Sequence, residues 1–417
     1  MSSFDENLDR YARLLVEQGM NVQPGQEVLI KFDGATSGEE VALCAMEASY
    51  RRGAAFVDIL YEHPRQAYAQ LALGPEAERF RFLQEDESRI NRVVDARGCF
   101  LSVRSDPEPD IFNTIGPLAG EHASKRRKAL MGRFADEGVN QGKVSWCVAC
   151  PPSLKAAQKV YPDLSAGEAY DLYWEAIFRM TMADQSDCLE RWATLDAKLH
   201  GRRDKLNALK IAHLHFRGPA TDLRVYLSRR ANWIGSSSKT VDGKTFNPNV
   251  PSFEVFTTPD YRMTEGCVSV TRPVKVGGVL VEGLHLIFRE GKLVSFDAAT
   301  HRDAYASLIA TDEGACQLGE IALVGVDSPV WQEQRVFKNV LYDENAASHL
   351  ATGMGYAEGI SGGWGLSQDE LREAGCNQSV THTDAMISGE DVDVDAVTYD
   401  DRSVALLRDG RWVEAFA

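Results

Sequence analysis

Residues 27–62, EVLIKFDGATSGEEVALCAMEASYRRGAAFVDILYE, contain two short β-type runs, EVLIKF (27–32) and AAFVDILYE (54–62), separated by a helical pattern over 37–53. A helix between two apolar strands points to a parallel sheet, because parallel neighbours need a long crossover where antiparallel ones need only a turn. The helix is expected to open on a Ser-x-x-Glu capping box at Ser37 and Glu40. Upstream, Leu8, Tyr11, Leu14 and Leu15 recur at helical spacing. Downstream, CFLSVRS (99–105), a basic helix around 123–135 and VSWCVACP (144–151) continue the alternation. The N-terminal part is therefore expected to be an α/β domain, a mostly parallel sheet in a three-layer sandwich with its helices.

Helical patterns fill 153–204, and the mixed-charge stretch CLERWATLDAKLHGRRDKL has the character of a helical linker. From about Leu209 the texture changes to short strand-like runs, among them KIAHLHFRG, DLRVYLS, CVSVTRPVKV and SVALLRDGRWVEAF. This predicts a β-rich α+β C-terminal domain. The expected division is 1–205 for the N-terminal α/β domain with its helical linker and 206–417 for the C-terminal domain.

The chain of 417 residues is 44% hydrophobic and 25% charged, so it can bury a core without disulfide staples. Its formal charge of −16 has the wrong sign for a phosphate backbone or an anionic membrane surface, so neither nucleic acid nor membrane is an expected partner. The stretches VGGVLVEGLHLIF (276–288) and IALVGV (321–326) are too short or too interrupted to span a bilayer. MSSFDENLDRYARLL lacks the basic and apolar regions of a secretory signal, and a cytoplasmic protein is expected. Eight dispersed cysteines suit a reducing compartment, where they act as small buried hydrophobes.

Four segments of the C-terminal half carry groups able to do chemistry. In NVPSFEVFTTP (249–259), Glu254 interrupts an apolar run and is either solvent-facing or a buried acid with a partner. In QLGEIALVGV (317–326), Glu320 opens an apolar strand. In LYDENAASHLATGMGYA (341–357), Asp343 or Asn345 is expected to cap a helix carrying His349 and, two turns on, Tyr356, with Glu344 at its entrance. In NQSVTHTDAMI (377–387), His382 and Asp384 are two residues apart and so share one face of a strand. Imidazole and carboxylate together are donors suited to Zn²⁺, Co²⁺ or Mn²⁺, and shared carboxylates are what two adjacent ions need to offset their repulsion.

EVFTTP, LGEIALV followed by SPV, DENAASHLATGMGYA and GCNQSVTHTDAMI occur in the order and approximate spacing of the thermophilic-type leucyl aminopeptidases, the aminopeptidase T and aminopeptidase S family, which the chain resembles over most of 209–417. Residues 1–208 resemble it more loosely. The resemblance implies a catalytic C-terminal domain with two divalent metal ions, Zn, Co or Mn, held by Glu254, Glu320, Glu344, His349, His382 and Asp384, with Tyr356 as an active-site tyrosine. It implies a homodimer that encloses the site and a substrate class of peptides with a free N-terminus. The expected reaction is hydrolysis by a hydroxide bridging the two ions, with Glu320, or else Glu344, moving the proton and Tyr356 donating to the developing oxyanion. The chain departs from the family in carrying Ala385 where an aromatic residue usually follows the metal-binding Asp, a change expected to bear on pocket size.

Other motifs carry less. Cys147 and Cys150 have CxxC spacing, but no second pair completes a zinc ribbon and they sit in a strand-like run, so burial is expected. His213 and His215 could share a strand face but are expected to be structural. GISGGWG (359–365) has neither a dinucleotide nor a P-loop fingerprint; it reads as a flexible loop, placed where it could shape the pocket entrance. Rival functions are a metal-dependent amidase, esterase or dipeptidase on another small substrate, and a non-catalytic binding protein of the same fold.

Overall fold

The computed structural model describes residues 3–115, 117–276 and 279–417. Met1 and Ser2 of the N-terminal segment, and Gly277 and Gly278 of the apolar stretch 276–288, lie outside the described residues. The chain forms two compact units, one of residues 1–195 and 237–252, the other of 196–236 and 253–417.

The first unit is built on four parallel strands, β1 (Glu27–Phe32), β2 (Phe56–Tyr61), β3 (Cys99–Val103) and β4 (Ser145–Ala149), in the order β2-β1-β3-β4. Helix α1 (Phe4–Leu14) precedes β1, and α2 (Thr36–Arg51), α3 (Gln84–Asp95) and α4 (Pro117–Arg133) lie in the connections between the strands. On one face Leu29, Leu60 and Phe100 pack with Ile90, Val93 and Val94 of α3 and Leu130 of α4. The expected parallel α/β arrangement is thus present, with two local corrections. Helix α4 starts six residues before the expected 123. The helix α2 begins at Thr36 with Ala35 as its cap residue, so Ser37 lies inside it and donates to Pro152 O at 2.6 Å; the predicted capping box does not form. Capping boxes form at Ser3 with Glu6, Ser165 with Glu168 and Ser367 with Glu370.

Helix α5 (Cys188–Leu209) contains the chain position where the units divide. Segment 237–252 then returns to the first unit, where Val148 N donates to Pro248 O at 2.8 Å and Asn247 N donates to Gly19 O at 2.9 Å. The compact units therefore do not follow one cut of the chain, whereas the sequence suggested one between 205 and 206. Those contacts link residues distant in sequence, and no local pattern announces them.

The second unit is β-rich, as its short strand-like runs suggested, and its sheets are antiparallel. An eight-stranded sheet includes Ile211–Gly218, Thr221–Tyr226 and Asp393–Thr398. A five-stranded sheet holds β5 (Ile234–Gly235), β6 (Val255–Thr257), β7 (Leu318–Leu323), β8 (His349–Gly353) and β9 (His382–Met386) in the order β9-β8-β7-β6-β5. Among the described residues no helix is long and apolar enough to cross a membrane.

Candidate metal centre

The register of the five-stranded sheet decides which side chains meet. In β7 and β8 Glu320 lies opposite Ala351 and Ala322 opposite His349; in β8 and β9 Ala351 lies opposite Asp384 and Gly353 opposite His382. Directly opposed residues share a face, and so do residues two apart on one strand. Glu320, His349, His382 and Asp384 therefore project from one face, and Glu254, two residues before Phe256, which lies opposite Ala322, joins them. Ala322 and Ala351 fill the positions between and leave the face open for the longer polar groups.

Two donor groups result, Glu254, Glu320 and His349 in one, and Glu320, His382 and Asp384 in the other. His349 Nε2 is 3.1 Å from Glu254 Oε2 and 3.6 Å from Glu320 Oε1. His382 Nε2 is 3.5 Å from Glu320 Oε2 and 3.4 Å from Asp384 Oδ1. Glu320 thus turns a different oxygen toward each imidazole. The two rings are fixed from behind, His349 Nδ1 on Ala347 O at 3.2 Å and His382 Nδ1 on Met354 O at 2.8 Å. A carbonyl can only accept, so each Nδ1 carries the proton and each Nε2 presents its lone pair to the carboxylates when the ring is neutral.

The residues fit divalent metal on three grounds. Two donors each ~2.1 Å from one ion at a tetrahedral angle stand about 3.4 Å apart, the separation of the donor pairs here. Glu254 Oε2 is buried and, apart from its 3.1 Å approach to His349 Nε2, has no hydrogen-bond partner among the described residues. Glu254, Glu320, Glu344 and Asp384 crowd buried negative charge that two imidazoles offset only in part, and cations remove the surplus.

The proton affinities report the same crowding. Burial acts to lower the His349 pKa, but Glu254 and Glu320 outweigh it and hold it well above 6.5. His382 is held at about 9 by Asp384 and Glu320 against the opposing effect of burial. Burial, with Glu254 and Asp384, raises Glu320, although both histidines oppose the rise. Asp384 is lowered, because His382 and His349 overcome burial.

Glu344 lies in the 3-10 turn Glu344–Ala346 that leads toward β8, and belongs to neither donor group. Burial first, then Asp384 and Glu254, push its carboxyl well above the usual range. Tyr356 follows β8 on a loop, its ring centroid 4.9 Å from that of His382. Desolvation, then Glu320, Asp384 and Glu344, keep its phenol protonated well above pH 10.

The expected helix through His349 is absent: His349 opens strand β8, all five of whose residues are buried. HLATG has no alternation to mark a strand, and its Leu and Ala favour helix; pairing with β7 and β9 overrides that preference. Asp343 caps no such helix. It accepts from Phe337 N at 2.9 Å and Asn339 N at 3.1 Å, and burial raises it to about 6. Asn345 accepts from Phe253 N at 2.6 Å, which ties the residue before Glu254 to the Glu344 turn. Ala385 lies opposite Leu350, on the reverse face of β9 from Asp384, and is 2% exposed, so this departure affects the packing behind the site and not its pocket.

Sequence reasoning missed Thr258, Asn345 as a strut and Asn377. Thr258 Oγ1 donates to Tyr356 O at 2.8 Å and accepts from Tyr356 N at 3.2 Å. The Thr-Thr pair after Glu254 and the polar run before His382 were the available signals. GISGGWG is pinned rather than loose: Ser361 N donates to Arg230 O at 2.6 Å and Asn232 N to Gly359 O at 2.9 Å. Cys147 is fully buried in β4, where burial pushes its thiol far above the ordinary range. His215 pairs with Asp222 at 2.7 Å, and His213 packs on Tyr226 with centroids 4.9 Å apart.

Residues 4–412 match the thermophilic metalloprotease (M29) family. The chain belongs to that family. It is 35% identical to aminopeptidase AmpS of Bacillus subtilis, covering 99% of this chain and 100% of that one. It is 37% identical to aminopeptidase T of Thermus thermophilus, with the same coverage. The solved wild-type AmpT structure from Thermus thermophilus superposes with a TM-score of 0.89 at 34% identity, over 99% of this chain and 100% of that one. This M29 protein is a metallo-aminopeptidase, with a candidate metal site on the five-stranded sheet.

Proposed function

We propose that this metallo-aminopeptidase removes N-terminal residues from peptides with a free N-terminus at a site for two divalent ions, Zn, Co or Mn. The observation that carries the reading is Glu320, whose two oxygens face two different imidazoles and so complete two donor groups. Glu254, Glu320 and His349 would hold one ion and Glu320, His382 and Asp384 the other, with Glu344 beside both. When bound, the pair supplies Lewis acidity for the scissile carbonyl and lowers the pKa of a bridging water so that it serves as hydroxide.

The protein's own groups supply the rest. Glu344 belongs to neither donor group, which leaves its carboxylate free to take a proton from the attacking water and return it to the leaving amide nitrogen. Glu320, named from sequence with Glu344 as the alternative, would instead give one oxygen to each ion. Tyr356 Oη donates to the carbonyl oxygen as negative charge develops there.

The reading extends to a cytoplasmic homodimer that encloses the site. Val380, two residues before His382, is 83% exposed and Trp364 51%, apolar surface of the sort a second copy would cover. Sedimentation velocity tests the dimer.

The deciding assay is hydrolysis of leucine p-nitroanilide by chelator-stripped protein, with Zn²⁺, Co²⁺ or Mn²⁺ returned and His382→Ala as control. Restored activity that the variant lacks is expected. Folded, metal-loaded protein that stays silent on aminoacyl anilides refutes the reading.

A further inference from the structure

Asn377 lies outside both donor groups, 1% exposed, on the segment leading into β9. Its amide nitrogen donates to Gly353 O at 2.7 Å, Gly314 O at 2.8 Å and Gln317 O at 3.3 Å. Three converging carbonyls can only accept, so the nitrogen and not the oxygen of the amide must face them. The carbonyls come from separate segments. Gly314 belongs to the turn Glu313–Cys316, Gln317 precedes the strand of Glu320, and Gly353 ends the strand of His349.

The backbone of Asn377 takes hold of the same turn two residues further along, where Gly355 N donates to Asn377 O at 2.9 Å. Between the two attachments, Met354 N donates to Thr381 O at 2.7 Å and Met354 O accepts from His382 Nδ1. Tyr356 is the next residue after this turn.

We infer that Asn377 is a positioning residue for Tyr356: its buried amide clamps the turn 353–355 and thereby sets where the phenol stands over the metal site. The chain reaches Tyr356 directly from residues whose polar groups this side chain and its neighbours satisfy. Gly314 O and Gln317 O also accept from the backbone, from Gln317 N at 3.0 Å and Gly353 N at 2.8 Å, so the loss of the amide falls on the carbonyl of Gly353, where the turn begins, and the turn relaxes toward another donor. A displacement of 1 Å at a group that meets the reacting atoms costs about 10²-fold in rate.

The inference rests on the role proposed for Tyr356, and a double-mutant cycle separates the two. At saturating metal, Asn377→Ala is expected to lower kcat by at least about tenfold while KM changes by less than about twofold. In a Tyr356→Phe background the same substitution should lower kcat by no more than about threefold, because the hydroxyl it positions is gone. Full multiplication of the two losses, or wild-type kcat in Asn377→Ala, overturns the inference. Full activity in Tyr356→Phe alone overturns the role of the tyrosine instead. Asn377→Ser, which keeps one hydroxyl donor, should recover part of kcat and serves if the alanine variant does not fold. If neither variant melts cooperatively, Asn377 is a requirement of the fold and the inference fails.

Discussion

Glu320 sends one oxygen toward His349 and the other toward His382, so a single side chain is common to both donor groups. Glu320→Ala is therefore expected to weaken binding of both ions, whereas His349→Ala should weaken one and spare the group of Glu320, His382 and Asp384. Metal content after equilibration with limiting Zn²⁺ checks this; equal losses in the two variants would refute the sharing. Tyr356 stands beside the same groups with its phenol protonated, and Tyr356→Phe should lower turnover by about 10²–10³-fold with metal content intact. A variant that lost its metal instead would assign the tyrosine to metal binding. Glu344→Gln should abolish turnover while both donor groups keep their ions, as measured by metal analysis and steady-state kinetics.

Strands β7 and β8 bring the site together only because their backbones pass unusually close to neighbouring carbonyls. At Gly353, φ is +105° and a Cβ would stand 2.2 Å from Thr381 O; at Gly319, in the bulge before Glu320, it would stand 2.2 Å from Met354 O. Neither backbone group can move aside without disturbing the Met354 carbonyl that holds His382. Gly353→Ala and Gly319→Ala should each cost about 1–3 kcal/mol. Gly120→Ala, in open space on α4, should be neutral or stabilising by up to about 1 kcal/mol. Thermal melts rank the three; a Gly353→Ala melt matching wild type would show that the strand end is pliable. These elements were only partly legible beforehand. Strand β9 announced itself through the spacing of His382 and Asp384, whereas β8 is buried on both faces, and a strand without alternation looks like a stretch of helix.

For the whole molecule, the clustered acids and imidazoles make stability depend on pH and metal together. The metal-free His382 pKa of about 9 lies above its ordinary 6.5, so the protonated ring stabilises the fold fully below pH 6.5 and that contribution is lost as pH rises toward 9. The shift corresponds to about 3 kcal/mol at about 1.36 kcal/mol per unit. Glu320 and Glu344, also raised, change stability in the same direction. Chelator-stripped protein should therefore need less urea to unfold at pH 9 than at pH 6.5, and added metal, which binds neutral imidazole and carboxylate, should narrow or reverse that difference. A metal-free protein equally stable at both values would remove His382 from among the carboxylates. The sequence by itself determined the parallel α/β layer, through strands separated by a helix, and the shared face of His382 and Asp384, because both are periodicities of a few residues. Only the tertiary structure decided that His349 lies on a strand, that Glu254 and Glu320 meet it, that Ala385 faces away from the site and that 237–252 rejoins the first unit. Each of these depends on which distant backbone supplies the hydrogen-bonding partner, and side-chain spacing along the chain carries no record of that choice.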